Sequence, residues 1–260
     1  MSGPEATYAG RVGALAARHG KERQIGPALV PTGLEVGVAA VDTDTFGTFS
    51  GEIPRLGHPA EVVERKARAA MAAKGPDVGL ASEGSFGPHP DVPFLTADTE
   101  LVALVDARLG TVIIEQAVSV DTAADALTVT PGDDVAEFCA QVGFPAQALI
   151  VRPADGAFDQ MTKAITDRDS LTHAISVATA ASTDRKAISE TDLRAHCCPK
   201  RQAVIAQAAQ RLAVRLARRC PACHAPGFGA IRTEPGLPCD LCGLPTARPM
   251  AILEDCPRCA

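Results

Sequence analysis

The sequence predicts an α/β fold, a mixed sheet with flanking helices, followed by a small C-terminal zinc ribbon. Three observations predict it. Short apolar runs alternate with stretches of helical periodicity through most of the chain. Apolar residues fill 46% of 260 positions, enough for a sizeable core, and with no Trp and one Tyr that core is aliphatic. Three Cys-x-x-Cys pairs crowd the last forty-one residues.

Taken in order, RVGALAA (11–17) reads as a buried strand, GKERQIGPALV (20–30) as a helix and LEVGVAAV (34–41) as a second strand. A helix over 59–75 follows, punctuated by Pro59 near its start and Gly75 after its end. DVGLA (77–81) is a third strand, and ELVALVD (100–106) with TVIIEQAVSV (111–120) forms a hairpin about Leu109-Gly110. A helix at 133–143, a strand at 147–153 and a helix from about Asp159 to Ala180 complete the first unit. The polar run STDRKAISETD (182–192) interrupts the periodicity and reads as a linker. The domain reading is therefore 1–185 for the α/β unit, 186–219 for a linker and basic amphipathic helix, and 220–260 for the cysteine-rich tail.

Charge divides the chain in the same place. Residues 1–192 carry 15 basic and 27 acidic groups, whereas 193–260 carry 10 basic and 4 acidic. The helix of PKRQAVIAQAAQRLAVRLARRC places Val204, Ile205, Ala208, Leu212 and Leu216 on one face, with Arg211, Arg215 and Arg218 along its flank. Those arginines either meet nucleic-acid phosphates or lie against the acidic first unit. Scarce aromatics argue against stacking platforms for single strands. No apolar run is long enough to cross a membrane and the opening residues lack a signal-peptide core, so a cytoplasmic location without membrane attachment is expected.

The tail predicts a metal. Cys220 and Cys223, Cys239 and Cys242, and Cys256 and Cys259 each offer two thiolates from a tight turn, and two such pairs complete a tetrahedral Zn²⁺ shell. The fifteen residues between Cys223 and Cys239 suit the first two pairs at the short end of zinc-ribbon spacing. One pair is then left over, and it either binds a second zinc with His196, Cys197, Cys198 or His224, or takes ligands from outside this chain. Disulfides or redox thiols are the competing reading. Cys197 and Cys198 read as buried thiols, and Cys139 as core.

Ligands of open α/β sheets bind beyond the strand carboxyl ends, where three polar segments stand out. Arg18-His19-Gly20-Lys21-Glu22 precedes a helix N-terminus that favours phosphate, although a plain surface turn explains it as well. VDTDTFGTFSGEIPR (41–55) carries Asp44 among hydroxyls and is either a substrate-lining or a self-bonded loop. SEGSFGPHPDVPF (82–94) places Glu83 after an apolar strand in a glycine-rich turn, where an acid can hold Mg²⁺ or activate water.

AARHGKE, TDTFGTFSGEIPR, ERKARAAM, ASEGSFGPHPDVPFL, VGFPAQALIVRP, CPACHAPGFG and PCDLCGLP together resemble a bacterial family known only as a domain of unknown function. The first half is also distantly similar to the inosine/xanthosine triphosphate pyrophosphatases. Lys21 matches their phosphate-binding lysine, Glu61 with Lys66-Ala67 keeps the Glu-to-Lys-Ala spacing of their second helix, and Glu83-Gly84 falls at their later acid. Ala16, Arg18 and Val62-Val63 depart from that pattern. This second resemblance implies a nucleoside triphosphate as substrate and Mg²⁺ held by the catalytic acids Glu61 and Glu83. Arg18, Lys21, Lys66 and Asp44 would contact the substrate, and a nucleoside monophosphate and pyrophosphate would be the products. Against it stand plain i,i+4 ion pairs, Glu61 with Arg65 and Glu64 with Arg68, and a non-catalytic zinc module that binds nucleic acid or protein.

Overall fold

Strand β1 (Val12–Ala16) lies between β2 (Glu35–Ala39) and β3 (Val78–Pro88), parallel to both. The computed structural model describes residues 7–18, 20–47, 53–156 and 160–259. Beyond β3 the sheet continues antiparallel through β4 (Thr96–Asp106) and β5 (Thr111–Ser119), giving the order β2-β1-β3-β4-β5. The predicted mixed sheet with flanking helices is thus what the chain forms.

Helix α1 (Glu22–Leu29) covers one face, with Ile25 and Leu29 packed among Leu15, Leu80 and Leu104. Helix α2 (Pro59–Lys74) covers the other, where Val63, Ala67 and Ala70 meet Ala14, Ala81 and Ala103. These small residues let helix and sheet approach so closely that a Cβ at Gly79 would collide with the Ala67 carbonyl. The ends of α2 follow the sequence punctuation: His58 and Glu61 form a capping box across Pro59 at the first helical position, and Gly75 closes the helix at φ +87°.

Helix α5 (Pro199–Ala217) lies beside α1 on β4 and β5, and the predicted apolar face of Val204, Ile205, Ala208, Leu212 and Leu216 is buried there. The basic helix is part of the first core and not an appended segment.

A second sheet, β6-β9-β7-β8, is antiparallel throughout: β6 (Ala126–Val129), β7 (Leu149–Pro153), β8 (Thr162–Ile165) and β9 (Ala187–Thr191). Helices α3 (Ala136–Val142) and α4 (Arg168–Ala181) enclose its own core of Phe138, Leu149, Val151, Ile165 and Leu171. Two expectations are corrected here. The run expected as a linker contains β9, an inner strand whose buried positions are Ala187, Ser189 and Thr191. Small hydroxyls facing inward hid its period of two. Helix α4 starts at Arg168, not near Asp159, because β8 precedes it and Asp167 caps it by accepting from the Ser170 N–H at 2.8 Å.

Strand β3 also runs further than the three-strand pattern predicted, through the glycine-rich segment to Pro88, in unbroken register with β4. In the tail, β10 (Gly229–Pro235) and β11 (Pro249–Asp255) form an antiparallel hairpin. No helix among the described residues is long and apolar enough to cross a membrane.

Candidate functional site

A cavity of about 490 Å³ opens beyond the end of β1, alongside the stretch of β3 that runs on past it, with α1 and α2 on opposite faces of the sheet. This crevice is where doubly wound sheets bind ligands. Ala16 and Ser82-Glu83-Gly84 form one wall, Lys21 stands at the start of α1, and Asp44, Gly47 and Ile53-Pro54-Arg55 close a side. From the second sheet's side come Lys163 of β8 and Leu193-Arg194-Ala195, which leads from β9 into α5.

The lining is strongly cationic: Arg18, Lys21, Arg55, Lys66, Lys163, Arg194 and Arg201 face the acids Asp44 and Glu83. Most of these cations already have anionic partners. Lys66 Nζ lies 2.5 Å from Glu83 Oε2, and Arg55 Nε lies 3.2 Å from Glu83 Oε1. Arg201, 2% exposed, donates to Glu100 Oε1 at 2.5 Å and to the Leu193 carbonyl at 2.7 Å. Arg194 pairs with Asp192, and Arg18 with Asp42 and Asp44.

Lys21 differs. Its ammonium has no hydrogen bond or ion pair among the described residues, and its half-buried side chain lines the cavity. Burial first, then the Arg201 and Lys66 cations, push its pKa down to about 8, against the pull of Glu100 and Glu83. Behind this wall, Asp98 on β4 is 2% exposed with Oδ1 unbonded, and burial followed by the neighbouring Glu100 raises its carboxyl to about 7. Gly84 makes this packing possible, since a Cβ there would strike Glu100 and Arg201.

Among the residues predicted from sequence, Arg18, Lys21, Asp44, Lys66 and Glu83 line this one cavity. Glu61 does not. Its carboxylate accepts from the His58 N–H at 3.2 Å in the α2 capping box. With Glu83 held by two cations, Glu61 and Glu83 do not assemble into the Mg²⁺ pair implied by the pyrophosphatase resemblance. Of the two expected helical ion pairs, Glu64 with Arg68 is formed, while Arg65 donates to the Leu56 carbonyl. Sequence reading missed Arg55, Lys163, Arg194 and Arg201. A signal existed for Arg201: it sits four residues before Ile205, on the apolar face of α5. His19, Ser50 and Glu52, in segments singled out from sequence, lie outside the described residues.

The arginines on the flank of α5 are engaged within the chain. Arg211 donates to the Gln116 carbonyl at 2.7 Å, Arg215 pairs with Glu115 at 2.9 Å, and Arg218 grips Glu254 at 2.5 and 2.9 Å.

The second site is the cysteine cluster. Cys220, Cys223, Cys256 and Cys259 bring their sulfurs within 4.8 Å of one another. Cys220 and Cys259 are 3.8 Å apart and Cys223 and Cys256 3.5 Å. Tetrahedral Zn–S bonds of about 2.3 Å place sulfurs roughly 3.8 Å apart, so the donor set fits a metal such as zinc and is too open for disulfides. Backbone N–H groups of Ala222 and Arg258 point at Cys220 and Cys256 Sγ at 3.4 Å. Sharing of hydrogen bonds with Cys256, Cys223 and Cys220 holds the Cys259 thiol up at about 12, the conflict that a bound cation removes.

The partnering corrects the spacing argument, because the first pair joins the third and not the second. Cys239 and Cys242 sit in the loop at the far end of the β10–β11 hairpin, and seven residues of strand span roughly 20 Å. The other ligands considered for a spare pair are elsewhere: Cys197 and Cys198 are buried beside the start of α5, and His224 turns the first knuckle at φ +58°.

With this geometry in place, comparison with known families shows that a family model described as a domain of unknown function, DUF6671, covers residues 66–260. No curated protein and no solved structure matches the chain. Neither result supports the likeness to triphosphate pyrophosphatases.

Proposed function

The chain belongs to the DUF6671 family, whose description assigns no activity, and we propose from the geometry that its cationic cavity binds a phosphorylated small molecule while the four-cysteine cluster holds a structural Zn²⁺. One observation carries the first half. A half-buried, partnerless ammonium at Lys21, beside the Arg201 and Lys66 cations, is costly unless an anion occupies the cavity and offsets the repulsion. Its position at the start of α1, at a strand carboxyl end, adds the favourable field of a helix N-terminus. Phosphate suits the lining because Arg18, Arg55 and Arg194 bring planar guanidinium groups to it from three separate segments of the chain.

Nucleoside triphosphate hydrolysis is the stronger form of this reading. Glu83 would have to act while carrying Lys66 and Arg55, so its first role here is to hold those cations in place. A nucleic-acid role through Arg211, Arg215 and Arg218 gains nothing from their placement, since each is bonded within the chain.

Calorimetric titration with pyrophosphate and with standard and deaminated nucleoside triphosphates tests the proposal, using the intact chain and Lys21→Met. Binding that weakens at least tenfold in the variant supports it. A folded wild-type chain that binds none of these compounds rejects it. Pyrophosphate release with Mg²⁺ in the same panel, lost in Lys21→Met, extends the reading to hydrolysis. Metal analysis tests the zinc assignment: zinc content should fall by one ion per chain in Cys223→Ser together with Cys256→Ser.

A further inference from the structure

The loop between β10 and β11 repeats the architecture of the first metal-binding turn. In C-P-A-C-H-A-P, the Cys220 N–H donates to the Ala225 carbonyl at 2.8 Å and the His224 N–H to the Cys220 carbonyl at 3.0 Å. In C-D-L-C-G-L-P, the Cys239 N–H donates to Leu244 at 2.8 Å and the Gly243 N–H to Cys239 at 2.8 Å. The closing residues both take positive φ, His224 at +58° and Gly243 at +72°. The turns are clasped by equivalent bridges, Arg219 with Pro226 and Pro238 with Pro245. Cys239 and Cys242 therefore form a built half-site for a thiophilic cation, and no third ligand joins them among the described residues.

A tetrahedral ion needs two more thiolates in the same geometry. The surface around the half-site is also unusual for a solvent-facing loop: Leu241 is 95% exposed, Leu244 66%, Met250 58% and Ile252 65%. A two-stranded hairpin exposed on both faces is marginal by itself, so burying these side chains would stabilise it. Between Pro235 and Met250 the only charges are Asp240 and Arg248, which oppose no approach of like to like. One unit known to present two thiolates at this spacing beside a neutral apolar rim is the same loop on a second copy.

We propose that Cys239 and Cys242 of two copies of this chain share one Zn²⁺ across a twofold axis, with Leu241 and Leu244 forming the rim of the contact. The arrangement is isologous, as closed dimers require. It rests on the reading of the four-cysteine cluster as a zinc site, because the second turn is recognised by its likeness to the first.

Native mass spectrometry of the zinc-loaded chain, with sedimentation across a concentration series, provides the test. The expected species is a dimer with about 1.5 Zn per chain, reduced by Cys239→Ser with Cys242→Ser to a monomer with about 1 Zn and an unchanged circular dichroism spectrum. Leu241→Asp should weaken the dimer at least tenfold without touching the first ion. A wild-type monomer with one zinc, or a dimer whose zinc content survives the double substitution, overturns the proposal and leaves the first zinc site standing. A folded chain with no zinc at all overturns both.

Discussion

Lys21 concentrates the conflict from which a function can be inferred. Its folded pKa of about 8 lies below the unfolded value of about 10.4, so its protonated form is destabilised in the folded chain. That penalty is fully present below pH 8 and fades as pH rises toward 10.4, because there the unfolded chain binds more protons. Wild-type stability should therefore rise between pH 8 and 10, and Lys21→Met should lack that rise. At pH 7 the variant should be more stable by on the order of 1–3 kcal/mol in denaturant titrations, while losing anion affinity. Phosphate affinity of the wild type should fall as pH rises through 8, and Lys21→Arg should flatten the profile, since a guanidinium stays charged. Glu83→Gln behaves oppositely. It leaves the buried Lys66 ammonium without its carboxylate partner and should cost about 3 kcal/mol, so its thermal midpoint must be measured before any activity loss is attributed to chemistry.

The elements differ in what holds them. Helix α5 stands on apolar contacts, and Leu212, fully buried among Leu15, Leu104 and Ile205, should cost about 2–5 kcal/mol on replacement by Ala, read as a shift in the denaturation midpoint. The β10–β11 hairpin has almost no core, only Cys220, Ala225 and Cys256 being buried in that cluster. Its order should depend on metal: chelation should abolish hydrogen-exchange protection in 229–255 while β1 and β3–β5 retain theirs. The two elements touch through Arg215, whose Nε donates to the Gly227 carbonyl at 3.0 Å, and through Arg218 with Glu254. These contacts show why a basic flank need not face nucleic acid: on an acidic protein the nearest counter-charges lie within the chain.

At the scale of the whole molecule, two sheets with separate cores meet over one cavity. The chain crosses between them at Asp192–Cys198, where Asp192 holds Arg194 and the Ala164 N–H, and α5 then carries Arg201 back to Glu100. Ligand affinity should therefore depend on both sheets. Lys163→Ala, on the second sheet, should weaken phosphate-compound binding about fivefold without lowering stability by more than ~0.5 kcal/mol, checked by titration and thermal melting. Because the cavity is cationic, binding should also weaken as salt is raised.

Local pattern alone determined much of this architecture. Apolar runs placed β1, β2, the start of β3, the β4–β5 hairpin and β7, and Pro59 with Gly75 bounded α2, because burial period and backbone punctuation are properties of neighbours in sequence. The thiol-rich turns were equally legible, since a Cys-x-x-Cys turn is complete within a few residues. Tertiary structure decided what those local units meet. Strand β9 was hidden because its inward Ser189 and Thr191 read as polar. The place of Arg201 on the apolar face of α5 was legible, but not its partner, because burial of an arginine depends on Glu100, a hundred residues away. Cys220 and Cys223 meet Cys256 and Cys259, and not the nearer Cys239 and Cys242, because an antiparallel hairpin returns the chain to its starting end. Glu61 and Glu83 were separated for the same kind of reason, one spent on a helix cap and the other on two cations. Spacing measures distance along the chain, whereas coordination and charge pairing are set by distance through space.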